Sequence, residues 1–289
     1  MKKFLVAIFV LTLFAGACFA ENENDIVKEG LLSHANVSLE EYDKFIVKFL
    51  ANDMWNFYML DNPKYPAKYF KLNADERTFF DTVAEMIMAL NAGKIDRMEM
   101  PEPVGKYFLA QDNNTENYIT YYSLKGVNYY LSMGFNNGNK WFEPFNNAIK
   151  AANEDGTVLL LKAKYTGKNV KHEELKPITF EKFPDAETVK IAITGDIPPI
   201  DYIAADGTPA GFNTAILAEI ARRLKINIEL VSITSGARAA ALSSGRVDGV
   251  FWFWYEKVSG SFRDVPENVV LTEPYYDWDS YMYIGKKIK

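Results

Sequence analysis

The octapeptides ALNAGKID (residues 89–96) and ALSSGRVD (residues 241–248) follow one pattern: Ala-Leu, two polar or small residues, Gly, a basic residue, a branched residue, Asp. Each follows an apolar-periodic stretch. A glycine there ends the helix abruptly because it adopts the left-handed conformation without a Cβ penalty. The aspartate then precedes a short extended run, where its carboxylate is expected to bond to backbone, a structural role rather than a catalytic one. Two helix-stop, strand-entry phrases in one chain predict two similar α/β units.

A chain of 289 residues is long enough for two such units. The first twenty residues do not belong to either. Lys2 and Lys3 precede an apolar run from Phe4 to Phe14, and Ala15-Gly16-Ala17 or Ala20 offers small residues for cleavage, the pattern of a secretory signal. The run is short for a bilayer span. Cys18, the only cysteine, falls inside this segment, so cleavage after Ala20 leaves no thiol for disulfides or nucleophilic catalysis. Cleavage after Ala17 makes Cys18 the first residue, available for a lipid anchor. The expected location is periplasmic or extracellular, with lipid anchoring through Cys18 as the alternative. The formal net charge of −6 becomes more negative once Lys2 and Lys3 are removed, which argues against nucleic acid or anionic membranes as partners.

Along the rest of the chain, residues 21–60 read as an N-terminal helical segment, with Ser38 and Glu41 in capping-box spacing ahead of SLEEYDKFIVKFL. Residues 61–167 form the first α/β unit, closing on two helices across the Gly turn of ANEDGTVLL. Residues 168–187 are polar, contain two prolines, and read as a linker. From 188 to 289 the alternation is strand, turn-rich loop with a hairpin at Asp206-Gly207, helix, strand, helix and strand, which implies parallel pairing through crossovers.

Residues 188–289 resemble the first lobe of the periplasmic solute-binding proteins of family 3, the polar-amino-acid receptors of ABC importers. The resemblance is carried by VKIAITGDIPPIDYIAADGTPAGFNTAILAEIARRL, AALSSGRVDGV and LTEPYYDWDSYMYIGKK. Residues 79–167 resemble the second lobe, through TVAEMIMALNAGKIDRMEMPEPVGKYFL and FNNAIKAANEDGTVLLLKAKYTG. The resemblance implies an α/β, two-lobed, periplasmic-binding-protein-like (type II) fold. Its lobe order is reversed, so the fold is circularly permuted or partial. Lobe 2 is expected to be incomplete, because DMWNFYMLDNPKYPAKYFKLNADER holds no evident counterpart of its opening strand. The function implied is non-enzymatic: an exported protein that captures a small molecule, amino-acid-like or another small polar solute, and hands it to an ABC transporter permease. A homodimer by lobe exchange is compatible with the reversed order.

Ligands in open α/β sheets sit beyond the carboxyl ends of the strands. The candidate ligand-binding residues are therefore Asp196, Ile197, Ile200, Tyr202, Thr234, Arg238, Phe253, Trp254, Tyr255 and Glu102. Several depart from the family's pattern. Ile197 and Ile200 stand where aromatics flank the Pro-Pro, WFWYEKVSGSF replaces the Ser/Thr turn and its arginine, and Pro101 takes the place of the lobe-2 carboxylate, with Glu102 one residue off. Two alternatives follow: an interaction protein whose cleft no longer takes a small molecule, and a dehydratase-like enzyme using Glu102, Asp196 or Asp201 as acid or base. The two histidines, His34 and His172, lie in the N-terminal segment and the linker. No nucleophile–base or metal-ligand spacing is evident, so no cofactor, metal or catalytic residue is expected.

Overall fold

Both octapeptides fold as the glycine rule requires. Gly93 (φ 70°) and Gly245 (φ 69°) are left-handed. Lys94 N donates to Ala89 O at 2.9 Å and Gly93 N to Leu90 O at 3.1 Å, while Arg246 N donates to Ala241 O and Gly245 N to Leu242 O, both at 3.1 Å. These are the paired bonds of a Schellman stop. The aspartates then reach sideways to the neighbouring strand. Lys28 N donates to Asp96 Oδ2 (2.9 Å) and Asp96 N to Lys28 O (2.8 Å); Lys190 N donates to Asp248 Oδ2 and Asp248 N to Lys190 O, both at 2.8 Å. Each phrase thus ends a helix and clamps the next strand to its neighbour.

The computed structural model describes residues 26–34, 36–50, 56–59, 74–111, 114–167, 170–256 and 264–287. The first part of the chain gives β1 (Lys28–Leu32), α1 (Leu39–Leu50), β2 (Asn56–Met59), β3 (Glu76–Phe80), α2 (Val83–Asn91), β4 (Arg97–Pro101), α3 (Glu102–Ala110), α4 (Asn114–Asn117) and the long β5 (Tyr118–Asn136). Helices α5 (Phe142–Glu154) and α6 (Thr157–Thr166) follow, separated by Gly156 at φ 80°. The second part gives β6 (Thr188–Ile193), β7 (Asp196–Ile197), β8 (Asp201–Ile203), β9 (Pro209–Ala210), α7 (Phe212–Leu224), β10 (Asn227–Ser232), α8 (Arg238–Ser243), β11 (Gly249–Glu256), β12 (Val269–Leu271) and β13 (Tyr276–Lys286).

One sheet runs β10-β6-β11-β5-β13-β4-β1-β3. It reads nearly the same from either edge. In the first half β1 pairs in parallel with β3 and β4, and β4 runs antiparallel to β13; in the second, β6 pairs in parallel with β10 and β11, and β11 runs antiparallel to β5. The axis is the antiparallel β5–β13 pair, which runs from Tyr276↔Leu131 to Lys286↔Tyr118 with register shifts between Trp278 and Ser280 and between Tyr283 and Ile284. Each central strand carries a glycine covered by an aromatic ring: a Cβ on Gly134 would meet Phe253 at 2.2 Å, and one on Gly285 would meet Tyr121 at 2.0 Å.

The opening strand of the first half lies outside the stretch where it was sought. It is β1, within the segment read as helical, and it completes a half-sheet expected to be incomplete. Its sequence, KEGLL, has no apolar run because the buried Glu29 is paired rather than excluded: Arg97 Nε donates to it at 2.6 Å and Arg77 Nε at 2.9 Å. The capping box is real, with Ser38 N donating to Glu41 Oε2 (2.9 Å) and Glu41 N to Ser38 Oγ (3.3 Å). The linker lies against the second half, held where Phe183 N donates to Asn227 Oδ1 and Asn227 Nδ2 to the carbonyls of Phe183 and Ala186.

The second half has an apolar core. Ile191 and Ile193 of β6 and Phe251 of β11 share a cluster with Phe212, Ile216 and Ile220 of α7, all nearly inaccessible. Each such side chain stabilises the fold by about 1.5–3 kcal/mol. The clamps add less: Asp96→Ala and Asp248→Ala are each expected to cost about 1 kcal/mol, the usual net value of such bonds. Urea unfolding of each variant checks this, and an effect confined to one of them would contradict the equivalence of the two halves.

Candidate functional site

The carboxyl ends of the parallel strands in the two halves meet at a seam. Equivalent positions can be counted from the clamped lysines. Six residues beyond Lys28 is His34, and six beyond Lys190 is Asp196. From the second half, Asp196 Oδ2 accepts from Val83 N at 2.8 Å, at the amino end of α2. Ser235 N donates to Asp81 O at 3.4 Å, and Arg238 Nη2 to Ser33 O at 3.5 Å. The inaccessible Asp264 takes the loop after β1, accepting from Asn36 N at 2.6 Å, with His34 Nδ1 3.7 Å and Arg238 Nη2 3.4 Å from its Oδ2. Arg238 is therefore buried beside an acid of its own half, its guanidinium also donating to Ser235 O.

Inside the seam is a cavity of about 60 Å³, walled by His34, Tyr42, Glu99 and Pro101 from the first half and Ile197, Ser235 and Arg238 from the second. That is room for about two water molecules. Glu99 accepts from Tyr42 Oη (3.1 Å) and Tyr283 Oη (3.2 Å). Burial first, and the charge of Glu29 second, push its carboxyl up to about 7, against the pull of Arg77. His34 stacks on Tyr42 at 5.1 Å between ring centroids; burial holds its imidazole below its ordinary range despite Asp264, so it is neutral at pH 7. The lining is mainly apolar, with His34, Glu99, Ser235 and Arg238 as the polar groups set into it. Among the described residues no group of three or more metal-ligating side chains occurs.

The expected residues distribute unevenly. Asp196, Ile197 and Arg238 come together at the seam. Tyr202 pairs with Asp196 across β7–β8, its ring 6.1 Å from Tyr107 at the outer rim, and burial pushes its hydroxyl up to about 12. Thr234 is exposed just ahead of the turn that carries Ser235. Ile200 and Phe253 are corrections: both are inaccessible core residues, Phe253 because its ring covers Gly134. Glu102 does not wall the cavity; Ser280 Oγ donates to its carboxylate and Lys106 pairs with it along α3. Trp254 and Tyr255 pair through backbone with Leu131 and Tyr130, and their side chains lie outside the described ones. The residues not foreseen are His34, Tyr42, Glu99, Ser235, Trp278 and Tyr281.

Glu99 supplies a pH test. Its pKa is higher in the fold than unfolded, so its contribution to stability is fully present below about 4.5 and is lost as pH rises through about 7. At about 1.4 kcal/mol per pKa unit the loss is on the order of 3 kcal/mol. Glu99→Gln is expected to flatten this fall, gaining most over the native protein at pH 8. Denaturant melts at pH 5 and pH 8 check it, and an equal effect at both would contradict the assignment.

No curated protein matches the chain. Among solved structures, the ligand-binding component of an ABC-type import system from Staphylococcus aureus with zinc bound aligns at TM-score 0.41 and 13% identity, over 91% of this chain and 66% of that one. Tv2483 bound to L-arginine aligns at 0.40 and 12%, over 91% and 78%. The periplasmic domain of BvgS from B. pertussis aligns at 0.40 and 11%, over 92% of this chain but 38% of that one. Among the described residues no helix is long and apolar enough to cross a membrane. Residues 189–282 match the family model of the bacterial extracellular solute-binding proteins, family 3, and over that segment the resemblance read from the sequence is borne out.

Proposed function

We propose that the chain is an exported solute-binding protein that closes its halves over a small polar solute and presents it to an ABC importer. The observation that carries this reading is the seam itself: strand ends of both halves face one another across a small cavity that carries Glu99, Ser235 and Arg238, and β5 and β13 cross between the halves as a hinge pair. Hinge closure around a ligand is the known behaviour of periplasmic receptors. The match over residues 189–282 supports the same class. The amino-terminal twenty residues, outside the described ones, serve as the export signal in this reading. The solute is small and polar, meeting Glu99, Ser235 and Arg238; the altered anchors at Ile197, Ile200 and Pro101 speak against a polar amino acid held in the family's usual way.

One observation favours a second reading. The seam is closed over the chain's own His34 and Tyr42, leaving about 60 Å³. A protein whose cleft is permanently filled would act through its surface instead. Thermal shift against amino acids, amines and small anions, with small-angle scattering of the ligand-free protein, separates the two. Solute binding predicts a hit that raises the melting temperature by several degrees, contracts an open ligand-free form, and is weakened at least ten-fold by Arg238→Ala. No hit, together with a ligand-free form already closed, would overturn it in favour of the second reading.

A further inference from the structure

A second hollow lies outside the seam cavity. It measures about 260 Å³ and is walled by Val83, Ala84 and Ile87 of α2, by Val104, Tyr107 and Phe108 of α3, and on the facing side by Asp196 and Pro198 of the second half. An engineered apolar cavity of about 150 Å³ already admits benzene, so this one takes a ring with a short arm. Its walls are apolar apart from Asp196 at one end and Gln111 at the rim. Tyr107 is held in place, its ring 4.7 Å from that of His172 and 6.1 Å from that of Tyr202.

The acid decides the ligand's charge. Asp196 Oδ2 accepts from Val83 N, but among the described residues no lysine, arginine or histidine pairs with the carboxylate. Burial first, then the nearby Asp201 and Glu85, raise its pKa to about 6, as a carboxylate in a negative, cation-poor setting requires. A carboxylate ligand would face Asp196 with nothing to offset the repulsion, and a zwitterion would carry the same difficulty. An ammonium group meets the acid directly, while its apolar body fills the hollow against Tyr107 and Phe108.

We infer that the hollow between α2, α3 and the Asp196–Pro198 loop is a binding site for a small aromatic or branched apolar monoamine, with Asp196 as the ammonium partner. Both halves wall the hollow, so an amine bound there also holds the seam closed. The inference does not depend on what the seam cavity takes.

The test uses 2-phenylethylamine as the probe on the mature-length protein, with 2-phenylethanol, phenylacetate and L-phenylalanine as controls. Titration calorimetry is expected to show the amine binding at least ten-fold more tightly than any control. Asp196→Asn should abolish that preference. Ala84→Phe, which fills the hollow from an exposed helix position, should abolish amine binding without changing the melting temperature. Methyl NMR should place the perturbation at Val83, Ile87 and Val104. An amine that binds no better than the alcohol, retains its affinity in both variants, or shifts Leu31 and Ile197 of the seam cavity instead would overturn the inference. A null result for every solute in the seam cavity would leave it standing.

Discussion

The antiparallel pairing of β5 with β13 is the constraint on which the rest of the structure depends. Each strand belongs to both halves: β5 runs beside β4's partner β13 and ends beside β11, while β13 starts near β5's far end and finishes against β4. Without the pair, β11 and β4 would each be an open edge and the two half-sheets would have no common frame. With it, the strand ends that matter are turned toward one seam. The glycines at 134 and 285, each under an aromatic ring, fit this role: they let a side chain from the same half close over the crossing strand where a Cβ would block it.

The two halves share geometry, and the first also buries apolar side chains such as Leu31, Met98 and Met100, but it adds buried charge. Where the second half buries Ile191, Ile193 and Phe251, the first buries Glu29, Arg97 and Glu99 on corresponding strands, with Arg77 and Asp43 completing the network. Arg77 Nη1 donates to Asp43 Oδ1 at 2.7 Å, tying α1 to the sheet by charge. Burying ion pairs gains little net stability, yet removing one partner strands the other at high cost. The network therefore fixes which groups face the seam more than it strengthens the fold. Among the described residues Glu99 is held by the hydroxyls of Tyr42 and Tyr283 and feels the charge of Arg77.

This asymmetry also explains how much could be read beforehand. The second half was legible because its strands are apolar and its helix amphipathic, so TVKIAI and FNTAILAEIARRL declare themselves. The two octapeptides disclosed the duplication because glycine at a left-handed stop and aspartate at a strand clamp have few substitutes. KEGLL is hard to read as a strand because one of its buried positions is a glutamate held by Arg77 and Arg97, which no hydrophobic pattern reports. At the site, the rule of strand ends points to Asp196, Ile197 and Arg238, which lie at the seam. Glu99 and Tyr42 were missed for the same reason as β1, and Phe253 was misplaced because an aromatic on a central strand looks alike whether it fills a pocket or covers a glycine.

The order of elements along the chain has a consequence for how the protein is made. During synthesis β1, β3 and β4 are complete long before residues 276–286 leave the ribosome, so β4 waits with one flank unpaired, and β5, whose place is on the other side of β13, waits as well. Pairings this distant in sequence form slowly, and an unpaired strand flank is a template for another chain. The nascent protein thus carries its most association-prone surface through most of its synthesis, and a holding chaperone that shields β4 and β5 until β13 arrives would matter more to its yield than any single contact in the finished fold.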